Sequence, residues 1–443
     1  MENFEKSDII TKVAYNKNTE KFLPRNEQML INNRLKQKLF RFVSEMTTEI
    51  NRPEAMKLFD AMMNDMHGKR VKDLYAFRSE GNHVVALLCC SIPPELIYAI
   101  DNHIPVSVCM GAGEVESYTD EYTKGMCPLS RSMVGFQSTG MCVFFNVADY
   151  VIVSDFCNCI KKSSNIIQKI SGDLEVFSTE SHQTDNKINI NVSSFQEWIL
   201  KITQGKGFNK EKFIEYCKIY SEIRDVYKSI MSLRKIRNSP INGRNSLWIQ
   251  QLFLVEEPKK LLSALKKLED ELNNNVNKNI GFNSTGAKKR IMLITPRIMP
   301  PFTEIFRIIE NNNAIIVCEE WCMGISNINY NIDDLIDIVN NENSTIENSV
   351  KYIMENIDKT VCACFKDFDI EKIIKKIEEY KVDAVINYSF KNCPNMEDKT
   401  KKISELLIKN GIPSMTLQTD YLEIYEKEDM YMKKINDFFE TLN

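Results

Sequence analysis

The sequence predicts an α/β protein built from two parallel-sheet units, preceded by a helical N-terminal region and joined by a helical connector. Three observations predict it. Short contiguous apolar runs, the pattern of strands covered on both faces, recur in two separate stretches. Within each stretch they alternate with helical periodicity, as βαβ construction requires. Between the stretches lies a long charged segment with helical spacing and no strand signal. The boundaries read from these shifts are 1–80 for the N-terminal region, 81–194 for the first α/β unit, 195–287 for the connector and 288–443 for the second unit.

Each element follows from local pattern. Glu27 to Glu49 and Pro53 to Met66 carry apolar residues at helical spacing. Val84 to Leu88 reads as a buried strand, and Pro93 to Ile100 as the helix after it, with Pro in the first turn. Pro105 to Cys109, Tyr150 to Ser154 and Glu175 to Thr179 read as further strands. The connector runs helically from Phe195 to Leu272 and ends at the Asn-rich stretch Asn273 to Asn279. In the second unit the strands are Arg290 to Ile294, Ala314 to Val317, Ala384 to Tyr388 and Ser414 to Leu417, with a helix at Ile370 to Glu379. Asn340 to Asn348 reads as a polar loop or weak helix.

Composition narrows the function. The 443 residues carry 57 basic and 61 acidic side chains, so no basic excess points to nucleic acid. The N-terminal residues lack the apolar core of a secretory signal. The most apolar stretch, Met133 to Val153, is interrupted by Gln137, Asn146 and Asp149, against a membrane span. A cytoplasmic protein is expected. The anomaly is 13 cysteines, an odd number that suits a disulfide framework poorly.

The cysteines fall where an open α/β sheet collects ligands, outside the carboxyl ends of strands. Cys89 and Cys90, Cys109, Cys157 and Cys159, Cys318 and Cys322, and Cys393 all close or follow expected strands, and Cys127 stands in the loop region before Tyr150. Only Cys217 lies in the long helical segment. Thiolates converging from separate loops suit an iron–sulfur cluster. Soft sulfur also suits zinc, but Cys157-Asn158-Cys159 and Cys362-Ala363-Cys364 have one intervening residue where zinc knuckles have two or more.

Several runs together resemble the 2-hydroxyacyl-CoA dehydratase and benzoyl-CoA reductase superfamily, most closely its double-cubane branch. They are Cys89-Cys90-Ser91-Ile92-Pro93-Pro94-Glu95-Leu96-Ile97, Met126-Cys127-Pro128-Leu129-Ser130-Arg131-Ser132, and the strand from Asp149 that ends in Cys157. Glu319-Glu320-Trp321-Cys322-Met323-Gly324 resembles the Glu-x-x-Cys-x-Gly turn of the superfamily. Cys362-Ala363-Cys364, the strand from Asp383 running on to Cys393, and Ile412-Pro413 with Thr419-Asp420-Tyr421 resemble its closing segments. The resemblance spans residues 80–443. Asn158 departs from the usual Asp, and Thr295 to Pro300 replaces a Gly-rich turn.

The resemblance implies two flavodoxin-like domains with a cluster in the cleft between them. Three cysteines hold a 4Fe-4S cluster in the dehydratases; the matching residues are Cys127, Cys157 and Cys393. Two bridged cubanes (the 8Fe-9S type) need about six thiolates, and Cys89, Cys322 and Cys362 are the expected additional ligands, with Cys364 as substitute for Cys362. Cys109 and Cys142 also match the double-cubane branch but are read as structural thiols. The implied activity is that of an anaerobic, low-potential oxidoreductase fed by a separate ATP-dependent iron–sulfur activator. The alternatives are the 4Fe-4S subunit of an (R)-2-hydroxyacyl-CoA dehydratase, a lyase, and a cluster-free structural subunit. A homodimer or a heterodimer with a paralogue is expected, acting on a small molecule or acyl-CoA.

Other signals are set aside. Gly281 to Lys288 nearly spells a phosphate loop, but Ala287 interrupts it and a strand is expected next, where the motif needs a helix. His67, His83, His103 and His182 lack metal-ligand spacing. Glu95 is read as a helix-dipole cap rather than a substrate contact. Arg131 stands equally between an acyl-CoA or partner contact and an ordinary salt bridge.

Overall fold

The computed structural model describes residues 23–442 apart from 89–91, 109–110, 155–156, 172–173, 180, 185–186, 254, 322–327, 343 and 357–367. Helix α1 (Arg25–Thr47) opens the described chain, followed by helices at Met56–Asp65 and Lys69–Ser79. Its stripe of Ile31, Leu35, Phe42 and Met46 is buried, at helical spacing.

The first unit then runs β1 (His83–Leu88), α2 (Pro94–Tyr98), β2 (His103–Ser107), α3 (Pro128–Ser138), β3 (Tyr150–Ser154), α4 (Asn158–Ile170) and β4 (Glu175–Thr179). The strands form one sheet in the order β2-β1-β3-β4, and all its pairings are parallel. A small antiparallel pair follows, β5 (Ser181–Thr184) with β6 (Lys187–Ile190). The connector contributes α5 (Lys210–Ser232), α6 (Gly243–Leu252) and α7 (Pro258–Asn277). The second unit runs β7 (Lys289–Thr295), α8 (Glu304–Asn311), β8 (Ala314–Trp321), β9 (Ala384–Phe390), α9 (Pro394–Lys409) and β10 (Ser414–Thr419), with further helices between β8 and β9. Its sheet has the order β10-β9-β7-β8, again wholly parallel.

Numbered within its own unit, each sheet therefore reads 2-1-3-4, the beginning of the flavodoxin-like order. The fold is α/β with two such sheets. In this order the chain reverses direction of winding between the first and third strands, and ligand crevices open at that point beyond the carboxyl ends. No helix among the described residues is long and apolar enough to cross a membrane.

The strands at Tyr150–Ser154 and Glu175–Thr179 and the helix at Ile370–Glu379 stand where their sequence pattern puts them. Strand β2 ends at Ser107, short of Cys109. Strand β8 continues past Val317 to Trp321, which places Cys318 inside the strand and buried rather than beyond its end. The charges carried into the strand are compensated. Arg234 donates to both Glu319 carboxylate oxygens, at 2.5 and 2.7 Å, and Lys376 pairs with Glu320. The β5–β6 pair has no counterpart in the sequence reading.

Buried guanidinium groups join the connector to both units. Arg224 of α5 donates to Glu95 of α2 at 2.7 Å, and both side chains are almost fully buried. Tyr330 donates to the same carboxylate at 2.9 Å, and Arg224 lies over its ring. Glu95 stands in the first turn of α2, as its reading expected, and also belongs to an inter-element ion pair. On the other side, Arg234 also donates to the carbonyl of Ile316 in β8. Arg290 of β7 donates to the connector carbonyls of Arg234, Ile236 and Arg237. The units also meet directly, through a parallel bridge between Gly111 and Pro301. A Cβ on Gly111 would stand 2.8 Å from the Tyr421 ring and 3.0 Å from the Met299 carbonyl, so the approach needs glycine.

Removing one partner of a buried ion pair leaves an uncompensated charge, at about 3–5 kcal/mol. Glu95→Ala is expected to destabilise the protein by that amount in urea unfolding, and a joint Glu95→Leu, Arg224→Met replacement to recover much of it. An unchanged midpoint for Glu95→Ala would show that Arg224 has water or another partner.

Candidate functional site

Three of the sequence-selected cysteines occupy one kind of position. Cys127, Cys157 and Cys393 are the N-cap residues of α3, α4 and α9. Cys157 lies three residues beyond the last residue of β3, and Cys393 three beyond that of β9, the third strand of each unit. Two units of the same topology therefore present a thiol at corresponding crevices. Proline follows at N1 of α3 and α9, where its fixed φ suits the first turn and its missing N–H removes an orphan donor. The Cys157 sulfur accepts the Ile160 N–H at 3.5 Å, a thiol version of an N-cap bond.

The thiols meet. Cys127 is in side-chain hydrogen-bond contact with Cys393 of the second unit and with Cys159 of the first. Cys159, on the first turn of α4, also contacts Cys157. The four sulfurs form a series from Cys393 through Cys127 and Cys159 to Cys157. Cys127 is buried, whereas Cys157, Cys159 and Cys393 are half-buried. Cys159 was not among the ligands selected from sequence. Its signal was the Cys-x-Cys spacing, which no resemblance matched.

The contacts drive protonation apart. Hydrogen bonds from the Cys127 and then the Cys157 thiol hold the Cys159 thiol far below its ordinary range, helped by the Cys127 N–H and Lys162, while burial opposes them. Cys127, donating to Cys159 and Cys393 and buried, is pushed well above that range. The helix N-termini add positive potential around all the sulfurs.

The remaining cysteines divide plainly. Cys142 is buried in the first unit's core, and burial pushes its thiol up to about 11. Cys217 lies buried within α5 and Cys318 within β8. Cys89, Cys90, Cys109, Cys322, Cys362 and Cys364 lie outside the described residues. Gly281 to Lys288 is a turn that leads into β7, with Asn283 accepting from the Lys288 N–H at 3.0 Å. His67 packs against Phe144, and burial lowers its pKa to about 4. His103 bonds the Asp101 carbonyl at 2.7 Å.

Among the described residues no group of three or more His, Cys, Asp or Glu side chains stands ready to hold a metal ion. The chemistry of the donors, soft sulfurs at helix ends, is that of iron–sulfur ligands.

Fold and thiols together define a two-unit α/β protein with a sulfur-lined site at the junction of its sheets. Comparison with known proteins places it more closely: residues 89–442 match the family model described as 2-hydroxyglutaryl-CoA dehydratase, D-component, and the chain belongs to that family of enzymes. It is 26% identical over 254 residues to the (R)-2-hydroxyisocaproyl-CoA dehydratase alpha subunit of Clostridioides difficile, a match covering 52% of this chain and 62% of that relative. It is 19% identical over 369 residues to the putative dehydratase subunit YjiM of Escherichia coli K12, covering 78% of this chain and 88% of that protein.

Arg131 of α3 resolves as a salt bridge, to Asp120 at 2.5 Å and to Glu116 at 3.3 Å. Burial raises the Glu116 carboxyl to about 8; Arg131 opposes this, and Asp420, Asp120 and Glu114 add to it. A carboxyl raised above its unfolded value of 4.5 contributes stability below that value and loses it as pH rises through about 8. Wild-type stability is expected to fall between about pH 4.5 and 8 relative to Glu116→Gln, measured by urea unfolding. Parallel profiles for the two proteins would refute the assignment.

Proposed function

We propose that this chain is an iron–sulfur redox protein in which Cys127, Cys157 and Cys393 hold a 4Fe-4S cluster at the junction of the two sheets. The contact between Cys127 and Cys393, thiols of different units each at a helix N-terminus, carries the reading. When bound, such a cluster supplies one-electron transfer at low potential. The chain's own residues bind and tune it. Helix N-termini stabilise negative charge on cluster and thiolates. Burial of Cys127 limits water at one sulfur, and low dielectric together with bonds to sulfur sets the potential.

The electron is supplied by an ATP-hydrolysing activator and passes to a small molecule or an acyl-CoA. Both relatives are named as dehydratase subunits, which supports an assembly with a paralogue or a second copy. One further reading has an observation behind it. In the sequence Cys89 and Cys322 directly follow Leu88 and Trp321, the last residues of β1 and β8. With Cys362, or Cys364 in its place, they would supply the second half of a double cubane.

Iron and acid-labile sulfide per chain, on protein purified without oxygen, test the proposal. About four irons indicate one cubane and about eight a double cubane. Cys127→Ser, Cys157→Ser and Cys393→Ser are each expected to lose most of the iron or leave it labile in air, because a hydroxyl is a harder and far less acidic ligand. Cys217→Ser is expected to keep full iron. A colourless, iron-free wild type from cells that assemble clusters, or full iron in the first three variants, would contradict the assignment.

A further inference from the structure

We propose that a basic pocket at the amino edge of the second sheet binds a small anion carrying two linked phosphate groups. The pocket has a volume of about 520 Å³. Lys289 opens β7 beside it, and Asp383 and Pro413 directly precede β9 and β10. Cys393 follows the opposite end of β9, beyond about 20 Å of strand. The site is therefore separate from the thiols, and the inference does not rest on the cluster reading.

Charge is the first observation. Arg237, Lys288, Lys289, Arg290 and Lys381 line the pocket, and among the described lining residues Asp383 is the one carboxylate. Arg290 is directed at carbonyls of the connector and of Tyr380 and Lys381. One Asp383 oxygen already accepts the Arg290 N–H at 2.7 Å. Lys289 reaches a neutral partner, the Leu442 carbonyl, at 3.1 Å. Among the described residues, Arg237, Lys288 and Lys381 form no salt bridge. Glu49 feels the Lys288 charge but does not line the pocket. Such a gathering stands out in a chain whose formal net charge is −4. A cleft lined by one sign of charge concentrates ions of the other.

The backbone supplies the second observation. The helix Ile370–Glu379 ends in a Schellman turn, with the Lys381 N–H on the Glu378 carbonyl and the Val382 N–H on that of Ile377. Lys381 holds the left-handed position of that turn, at φ 50°, where glycine or asparagine is the usual choice. The other non-glycine residues with positive φ among those described are asparagines and one glutamine. A cation is thus kept at the pocket against backbone preference, the kind of strain that marks functional positions. Gly286, at φ 69°, serves the neighbouring wall. A Cβ there would stand 3.0 Å from the Arg237 Nε, so glycine lets the guanidinium lie across the turn.

The chemistry of the ligand follows. The Gly286 and Lys288 N–H groups are bonded within the turn, both to Asn283 at 3.0 Å. They are not offered to an anion as the amides of a phosphate loop are, so side chains carry the recognition. With Arg290 set aside, four cations face one carboxylate. A single phosphate brings roughly −1.5 to −2 and leaves an excess of positive charge, whereas two linked groups bring about −3.

Isothermal titration calorimetry tests this on the full chain, purified without oxygen, in buffer free of divalent metal. The probes are pyrophosphate, ADP and inorganic phosphate. Pyrophosphate is expected to bind at least about tenfold more tightly than phosphate. Arg237→Gln, Lys288→Gln and Lys381→Asn are each expected to weaken it by about tenfold or more, the loss of one charge-assisted bond. Lys401→Gln, exposed on α9, is expected to change nothing. Asparagine suits the left-handed position, so the urea midpoint of Lys381→Asn is expected to hold or rise while affinity falls. ADP binding more tightly than pyrophosphate identifies a nucleotide as the source of the diphosphate, and ADP binding no more tightly identifies the free anion; both support the site. Pyrophosphate and ADP that bind no better than phosphate, or binding that the three variants leave untouched, overturn it.

Discussion

The thiol site exists because two separately wound units are held so that Cys127 of the first reaches Cys393 of the second, and a set of buried guanidinium groups joins the connector to both. Arg224 ties the connector to Glu95 at the first sheet, and Arg234 ties it to Glu319 and the Ile316 carbonyl at the second. Arg290 returns from β7 to three connector carbonyls. A planar group with five fixed donors suits this task, because it can satisfy carboxylates and carbonyls from several elements at once. Apolar packing alone would hold the layers together but would tolerate sliding. A buried charge tolerates little, since displacement leaves it unpaired. Loss of this register would separate Cys127 from Cys393 before it unfolded either sheet.

At the junction, helix ends set the chemistry. A thiol at an N-cap is a weak cap, and an Ala-like loss of a hydroxyl or carboxylate cap costs about 1 kcal/mol. Three such positions therefore carry a modest cost in helix stability, which positive potential at the sulfurs offsets once they are anionic. The Cys-Pro steps lessen the cost at α3 and α9, because proline starts a helix without an N–H to satisfy. Cys142, Cys217 and Cys318 show the contrast. Each is buried in apolar surroundings or inside a regular element, with its pKa raised by burial.

Much of this was legible in the residues. Contiguous apolar runs located the strands because parallel sheets are covered on both faces, and cysteine positions relative to strand ends pointed to Cys127, Cys157 and Cys393, which the fold places at helix N-caps. What escaped depended on long-range partners. The strand read as ending at Val317 runs on through Glu319 and Glu320, which are neutralised within β8 by residues 85 and 56 positions away. Glu95, in the first turn of α2, is also half of an ion pair with a residue 129 positions on. Cys159 could not be distinguished from a core thiol until the chain brought Cys127 beside it.

Anomalous scattering at the iron edge, from crystals grown and frozen without oxygen, tests the central claim most directly. The account predicts iron density bonded to sulfurs of both units, Cys127 and Cys157 from the first and Cys393 from the second. Iron bound by the cysteines of one unit alone, or crystals of a brown preparation with no iron between the sheets, would contradict it.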